Sequence, residues 1–238
     1  MQPTNQQQAY DRAITIFSPD GRLYQVEYAR EAVKRGTASV GVATADSAVL
    51  VAHKRLGSPL MEADDVEKLF EIDDHVGAAS AGHVTDARTL VDILRVEAQR
   101  NRAVYEEPIG VETIVEKLCD EMQDHTQSGG VRPFGCSLIV AGVDDGEPRV
   151  FETDPSGSFY EWRATAIGAK SDDVRGSLEE GYEDGLDTGE GIALAVDAIR
   201  EHVEDDDEVG VEDLAAAVVG GDEPTFRRLA ADELDEYI

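Results

Sequence analysis

The sequence predicts an α+β protein, a four-layer αββα sandwich in which two β-sheets lie face to face and a pair of helices covers each outer side. Three observations predict it. Apolar, β-rich runs come in groups, each group is followed by two segments with apolar residues at helical spacing, and this block pattern occurs twice in 238 residues. A sandwich with helices outside buries every apolar stripe, although an ordinary α+β sandwich accommodates the same pattern nearly as well. A chain of this length buries one good core, and nothing in it forces a second domain.

Residues 22–35 read as a helix, with Val26, Ala29 and Val33 at helical spacing. Ser39–Thr44 and Ala48–His53 are apolar runs joined across Ala45-Asp46-Ser47, a hairpin pattern. A third strand near Val76–Ser80 leads through Ala81-Gly82 into a helix with the stripe Ala87, Leu90, Val91, Leu94 and Ala98. The next helix repeats it with Val111, Ile114, Val115, Leu118 and Met122. The short connection containing Pro108 predicts that these two helices pair antiparallel. Cys136–Val143 and Arg149–Thr153 form a second hairpin across Asp144-Asp145-Gly146, and Phe159–Ile167 extends that sheet as one strand. A helix from Ser171 carries Val174, Leu178 and Tyr182. Another opens at Thr188, read as its N-cap, with Ile192, Ala195, Val196, Ile199 and Val203 on one face. A last strand, Leu214–Val219, ends at Gly220-Gly221.

Composition excludes several function classes. Asp and Glu number 51 against 21 Lys and Arg, a formal net charge of −30, so phosphate backbones are repelled and nucleic acid is not an expected partner. The acids are spread along the chain rather than gathered in a tail. Apart from the run Glu204 to Glu208, they decorate helices whose apolar stripes are intact. That is the pattern of a folded protein from a high-salt cytoplasm, where screening shortens repulsion. No window reaches the roughly 18 apolar residues of a membrane helix. The Gln-rich start, Met1 to Tyr10, lacks the basic and apolar parts of a secretory signal, which leaves the cytoplasm as the expected location. Cys119 and Cys136 have no CxxC spacing and read as buried reduced thiols. The five histidines are scattered without a ligand-pair spacing, so neither a metal nor a cofactor is expected.

Residues 10–36 carry the most specific pattern. Tyr10-Asp11-Arg12, Phe17-Ser18-Pro19-Asp20-Gly21-Arg22-Leu23 and Gln25-Val26-Glu27-Tyr28-Ala29 closely resemble the amino-terminal signature of proteasome α subunits. The resemblance continues through Gly129-Gly130-Val131-Arg132-Pro133-Phe134-Gly135. It implies the N-terminal-nucleophile hydrolase fold, in agreement with the sandwich. It divides the single domain 1–238 into a gate segment and turn (1–21), a helix (22–35) and the sandwich proper (36–238). Ser18-Pro19-Asp20-Gly21 suits a type I turn on its own residues. In the family, the residues matching Tyr10, Asp11, Arg12, Pro19 and Tyr28 belong to the gate of the pore. The plainer alternative is that Tyr10 and Tyr28 are half-buried aromatics at a subunit contact.

The resemblance also implies that the chain does not cut peptides. Active sister subunits use an amino-terminal threonine whose own amine assists its hydroxyl. Gly36-Thr37-Ala38-Ser39-Val40-Gly41 places Thr37 at that position, but behind residues that carry the α signature, so its nitrogen is a peptide amide. In His53-Lys54-Arg55, His53 stands where sister subunits have an acid, and only Lys68 matches the catalytic lysine. The rival reading makes residues 1–36 a propeptide and the chain a threonine peptidase. No catalytic residue is expected on the favoured reading. Lys68 and Gly82 are then expected in the pocket that receives the carboxyl terminus of an activator tail. The alternative is a surface Lys68 paired with Glu67 or Asp65. Gly129, Gly130 and Arg132 are expected on a pore-lining loop, where the family often has an aromatic in place of Ser128. Arg132 as an inter-subunit ion-pair partner is equally compatible. The implied partners are proteasome β subunits, neighbouring α subunits in a heptameric ring, a proteasome-activating ATPase and unfolded polypeptide substrates.

Overall fold

The computed structural model describes residues 17–55, 58, 60–62, 66–203, 209–221 and 223–238, so Tyr10, Asp11 and Arg12 of the expected gate lie outside the described residues. The elements run α1 (Tyr24–Lys34), β1 (Ser39–Ala43), β2 (Ser47–His53), β3 (Leu69–Asp73), β4 (Val76–Gly82), α2 (Val84–Tyr105) and α3 (Val111–Gln127). They continue with β5 (Cys136–Asp144), β6 (Glu147–Thr153), β7 (Phe159–Trp162), β8 (Ala164–Ile167), α4 (Ser171–Gly181), α5 (Thr188–His202), β9 (Leu214–Gly220), β10 (Thr225–Arg228) and α6 (Ala231–Leu234). One antiparallel sheet has the order β10-β9-β2-β1-β8 and the other β3-β4-β5-β6-β7.

Strand alternation builds the layers. Along β2, Val49 and Val51 pack with Ile192, Val196 and Ile199 of α5, whereas Ala48, Leu50 and Ala52 face the other sheet. Along β5, Leu138 and Val140 pack with Leu94 of α2 and Leu118 of α3, whereas Ile139 and Ala141 meet Leu50. Three apolar clusters therefore fill three gaps between four layers: helices, sheet, sheet, helices. Leu90, Leu94, Ile114 and Leu118 are fully buried, and each contributes on the order of 1.5–3 kcal/mol by leaving water. The expected αββα sandwich is the observed one. Cys119 and Cys136 are free, and both lie within the helix-side cluster.

Three local readings are corrected. The expected single strand Phe159–Ile167 is two strands in two sheets: β7 pairs with β6, and β8 pairs with β1. The chain changes sheet at Arg163, whose carbonyl accepts from the Ala43 amide at 2.7 Å. Side chains before that point are largely exposed and those after it are buried, so one continuous ladder could not serve both halves. Thr188 is not the N-cap of α5. Asp187 is, with its carboxylate accepting from the Glu190 amide at 2.8 Å while the Glu190 side chain accepts from the Asp187 amide at 2.9 Å. Tyr182 and Val203 fall just past the ends of their helices. Strands β3 and β10 were not anticipated; β10, Thr-Phe-Arg-Arg, is a short polar edge strand with little apolar signal.

Candidate functional site

Helix α1 ends at Lys34, and Arg35-Gly36-Thr37 then leads the chain into β1. At this junction the Thr37 hydroxyl donates to the His53 carbonyl at 2.5 Å. Lys68, just before β3, is buried, and its Nζ donates to Thr37 Oγ1 at 2.6 Å and to the Thr37 carbonyl at 2.7 Å. Burial pushes the Lys68 ammonium down to about 7. Burial likewise lowers His53, helped by the nearby Lys68 charge. A surface Lys68 is thus ruled out as the alternative; Glu67 pairs instead with Arg228 at 3.0 Å.

Beside this junction lies a cavity of about 670 Å³ lined by Tyr28, Glu31, Ala32, Arg35, Gly36, Gly82 and His83. Gly82 is part of its wall, whereas Lys68 is not among the lining residues and points to Thr37 behind it. Helix α1 supplies the aromatic Tyr28 and the acid Glu31, and Arg35 just beyond it supplies a cation. The helix itself is anchored by Arg30, whose guanidinium grips both oxygens of Asp154 at 2.8 and 2.9 Å. On its amino-terminal side, the Gly21 amide donates to the Ser18 carbonyl at 2.8 Å, closing the turn that presents Pro19 to solvent.

The segment after α3 exposes Gly129 and Gly130, and Gly130 has φ +93°. Arg132 donates to both oxygens of Asp86 at 2.6 and 2.8 Å, and the Gly135 amide donates to the same carboxylate at 2.7 Å. Burial raises the Asp86 carboxyl, but the Arg132 and Gly135 hydrogen bonds outweigh it and hold it below the usual range. Arg132 is therefore partnered inside its own chain. Among the described residues there is no group of three or more His, Cys, Asp or Glu able to hold a metal ion, and no helix long and apolar enough to cross a membrane.

The structure thus brings Tyr28 and Gly82 to one cavity and sets Thr37, His53 and Lys68 behind it. Arg132 and Gly135 join Asp86 at a second point nearby. A family profile described as "Proteasome subunit" matches residues 33–219. The chain belongs to that family. A second profile, for the N-terminal signature of A-type proteasome subunits, matches residues 10–32, so the α-type signature and the sandwich adjoin without a gap. The proteasome alpha subunit of Halobacterium salinarum is 58% identical over 241 residues, covering 100% of this chain and 93% of the relative. The proteasome alpha 1 subunit of Haloarcula marismortui is 56% identical over 238 residues, covering 100% and 91%. The Methanosarcina acetivorans proteasome alpha subunit is 53% identical over 232 residues, covering 98% and 93%. The acid-rich composition accords with the haloarchaeal relatives.

Sequence reasoning did not single out Arg35, His83 or Asp86 for this proteasome-family chain. Asp86 could have been noticed as an acid in the first turn of a predicted helix, where a carboxylate is favoured. Nothing in the spacing links it to Arg132, far away in sequence.

Proposed function

We propose that this proteasome α-type chain is a non-catalytic structural and gating subunit. It forms the outer heptameric rings of a cytoplasmic core particle, restricts access of unfolded polypeptides and docks an ATPase regulator through the regulator's carboxyl-terminal tails. Residues 1–21 serve as gate segment and turn, with Tyr10, Asp11, Arg12, Pro19 and Tyr28 as gate residues. The 128–135 loop lines the pore.

The observation that carries the reading is the cavity at the end of α1. It offers an aromatic wall in Tyr28, a cation in Arg35 and half-buried backbone at Gly36 and Gly82, which suits an extended peptide end bearing a carboxylate. Behind that cavity Lys68 holds Thr37, the residue after the lining Gly36. The same geometry supports the absence of catalysis. Thr37 has an amide in place of a free amine, its hydroxyl is tied to a carbonyl, and His53 replaces the expected acid.

The test uses core particles assembled from this chain and β subunits. Deleting residues 1–11 should raise hydrolysis of a fluorogenic peptide, because the β subunits keep the chemistry and only access changes. Arg35→Ala should lose stimulation by the ATPase while assembly persists, and Thr37→Ala should leave turnover unchanged. Equal rates for deleted and intact particles would remove the gating role; turnover abolished by Thr37→Ala would restore the peptidase reading.

A further inference from the structure

We propose that Asp86 and Arg132 are positioning residues that make the 128–135 loop respond to the occupant of the Tyr28–Gly82 cavity. The occupant is taken from the docking reading above, a peptide end with a free carboxylate, and the inference rests on that reading.

Three glycines from three separate segments meet backbone to backbone. A Cβ on Gly36 would stand 2.4 Å from the Gly82 nitrogen, and one on Gly82 would stand 2.3 Å from the Gly135 carbonyl oxygen. One on Gly135 would stand 2.4 Å from the His83 ring. At Gly36–Gly82 and Gly82–Gly135 the close neighbours are backbone atoms, so no soft side chain lies between those three glycines, and the His83 ring backs Gly135. Gly36 and Gly82 line the cavity, and Gly135 closes the loop. The path from cavity wall to loop is therefore main chain against main chain, reinforced by the His83 amide donating to the Gly135 carbonyl at 2.9 Å.

Gly36 cannot yield backwards. The Ala169 amide donates to its carbonyl at 2.7 Å, and a Cβ on Gly168 would lie 2.5 Å from the Thr37 carbonyl oxygen. A close-packed contact with a fixed rear wall passes displacement forward instead of absorbing it. What it reaches is a loop tied at Ser128, whose amide donates to the Asp124 carbonyl at 3.0 Å, and at Arg132–Gly135, with an open pair of glycines between. Around Gly129 and Gly130 a Cβ would meet no atom within 4 Å, whereas Arg132 and Gly135 are both fastened to Asp86. Asp86 is itself in the first turn of α2, one helical turn from His83 at the cavity. A group pressing on Gly82 or His83 thus moves the carboxylate that sets Arg132, and the open glycine half of the loop takes up the change.

The experiment reads binding and loop motion separately. Core particles carry Val131→Cys with a nitroxide spin label; Val131 is exposed, whereas Cys119 and Cys136 are buried. The probe is a short synthetic peptide copying the carboxyl terminus of the ATPase, with its amidated form as control. Anisotropy of a fluorescent copy follows binding. The carboxylate peptide should change the label's mobility and the amide should not. Arg132→Gln should abolish that change while leaving peptide affinity within about twofold, and Arg132→Lys should restore part of it. Gly82→Ala should shift the label with no peptide present, since its Cβ collides with the carbonyl of Gly135. Peptide binding with an unchanged label would overturn the coupling and leave the docking reading intact. Failure of the peptide to bind would overturn the docking reading, and the coupling to a peptide end with it. An unmoved label in folded Gly82→Ala particles would overturn the mechanical link itself.

Discussion

Lys68 Nζ lies 2.6 Å from Thr37 Oγ1, a buried amine against a half-buried hydroxyl. Burial lowers this amine from 10.5 to about 7, so the unfolded chain binds more protons than the folded one between those values. The cost of the buried charge is fully present below pH 7 and is relieved as pH rises through that window. The wild-type chain should gain on the order of 2 kcal/mol of unfolding free energy between pH 7 and 9 relative to Lys68→Met. Denaturant titrations of both proteins at matched salt check this, and parallel pH slopes would contradict it.

The Arg30–Asp154 fork should show in acid. Burial raises the Asp154 carboxyl, but hydrogen bonds from Arg30 and Ser156 outweigh it and hold it low. A lowered carboxyl contributes stability above its ordinary value of 3.8, and that stability is lost as pH falls through the folded value. Arg30→Gln should cost about 1 kcal/mol at neutral pH, a modest figure because the pair is partly solvated. It should also raise the midpoint of acid unfolding. Arg30→Lys, which keeps charge but loses the fork, should recover only part. Circular dichroism against pH distinguishes the three proteins.

Glycine substitutions separate strain from collision. Gly146 has φ +84° in an open turn, so Gly146→Ala should cost only the left-handed penalty of about 1–2 kcal/mol. Gly168 has φ +97°, and a Cβ there would also stand 2.5 Å from the Thr37 carbonyl oxygen, so Gly168→Ala should cost distinctly more. Equal melting-temperature losses would show that the backbone there relaxes freely.

Salt should govern stability as strongly as any single contact. With a net charge of −30, the folded chain repels itself, and the screening length falls from about 10 Å at 0.1 M salt to about 3 Å at 1 M. The thermal midpoint should rise steeply across that range. A midpoint indifferent to salt would mean that the charges are already compensated.

The helix stripes and long strands were legible because each carries one period against one layer: Leu90, Val91 and Leu94, or Val49 and Val51, need only local spacing to be recognised. The break at Arg163 was not, because apolar content continues across it and only the partner strand changes. The site divides along the same line. The resemblance pointed to Gly82 as a pocket residue and to Tyr28 as a gate residue, and did not say that the two line one cavity. The contact of Gly36, Gly82 and Gly135 could not, because a glycine required by an approaching backbone looks in sequence like one required by a turn. Lys68 was expected to face an incoming tail, and no pattern of neighbours tells that its ammonium turns inward to Thr37.

The order of strands has a consequence for how the chain is made. Strand β1 pairs with β8 through Ser39 and Ile167, and β2 pairs with β9 through Ser47 and Gly220. The β1–β2 hairpin precedes both of its partners in the chain: its β1 flank stays open until Ala164–Ile167 has been made, and its β2 flank until Leu214–Gly220 has. During that interval Val49, Leu50 and Val51 have neither a neighbouring strand on the β9 side nor a covering helix, so the nascent chain carries an adhesive ribbon for most of its synthesis. The second sheet can close earlier, since β3 through β7 are consecutive. Birth should therefore proceed from the middle outward, with the amino-terminal hairpin waiting for the carboxyl-terminal strand to complete its sheet.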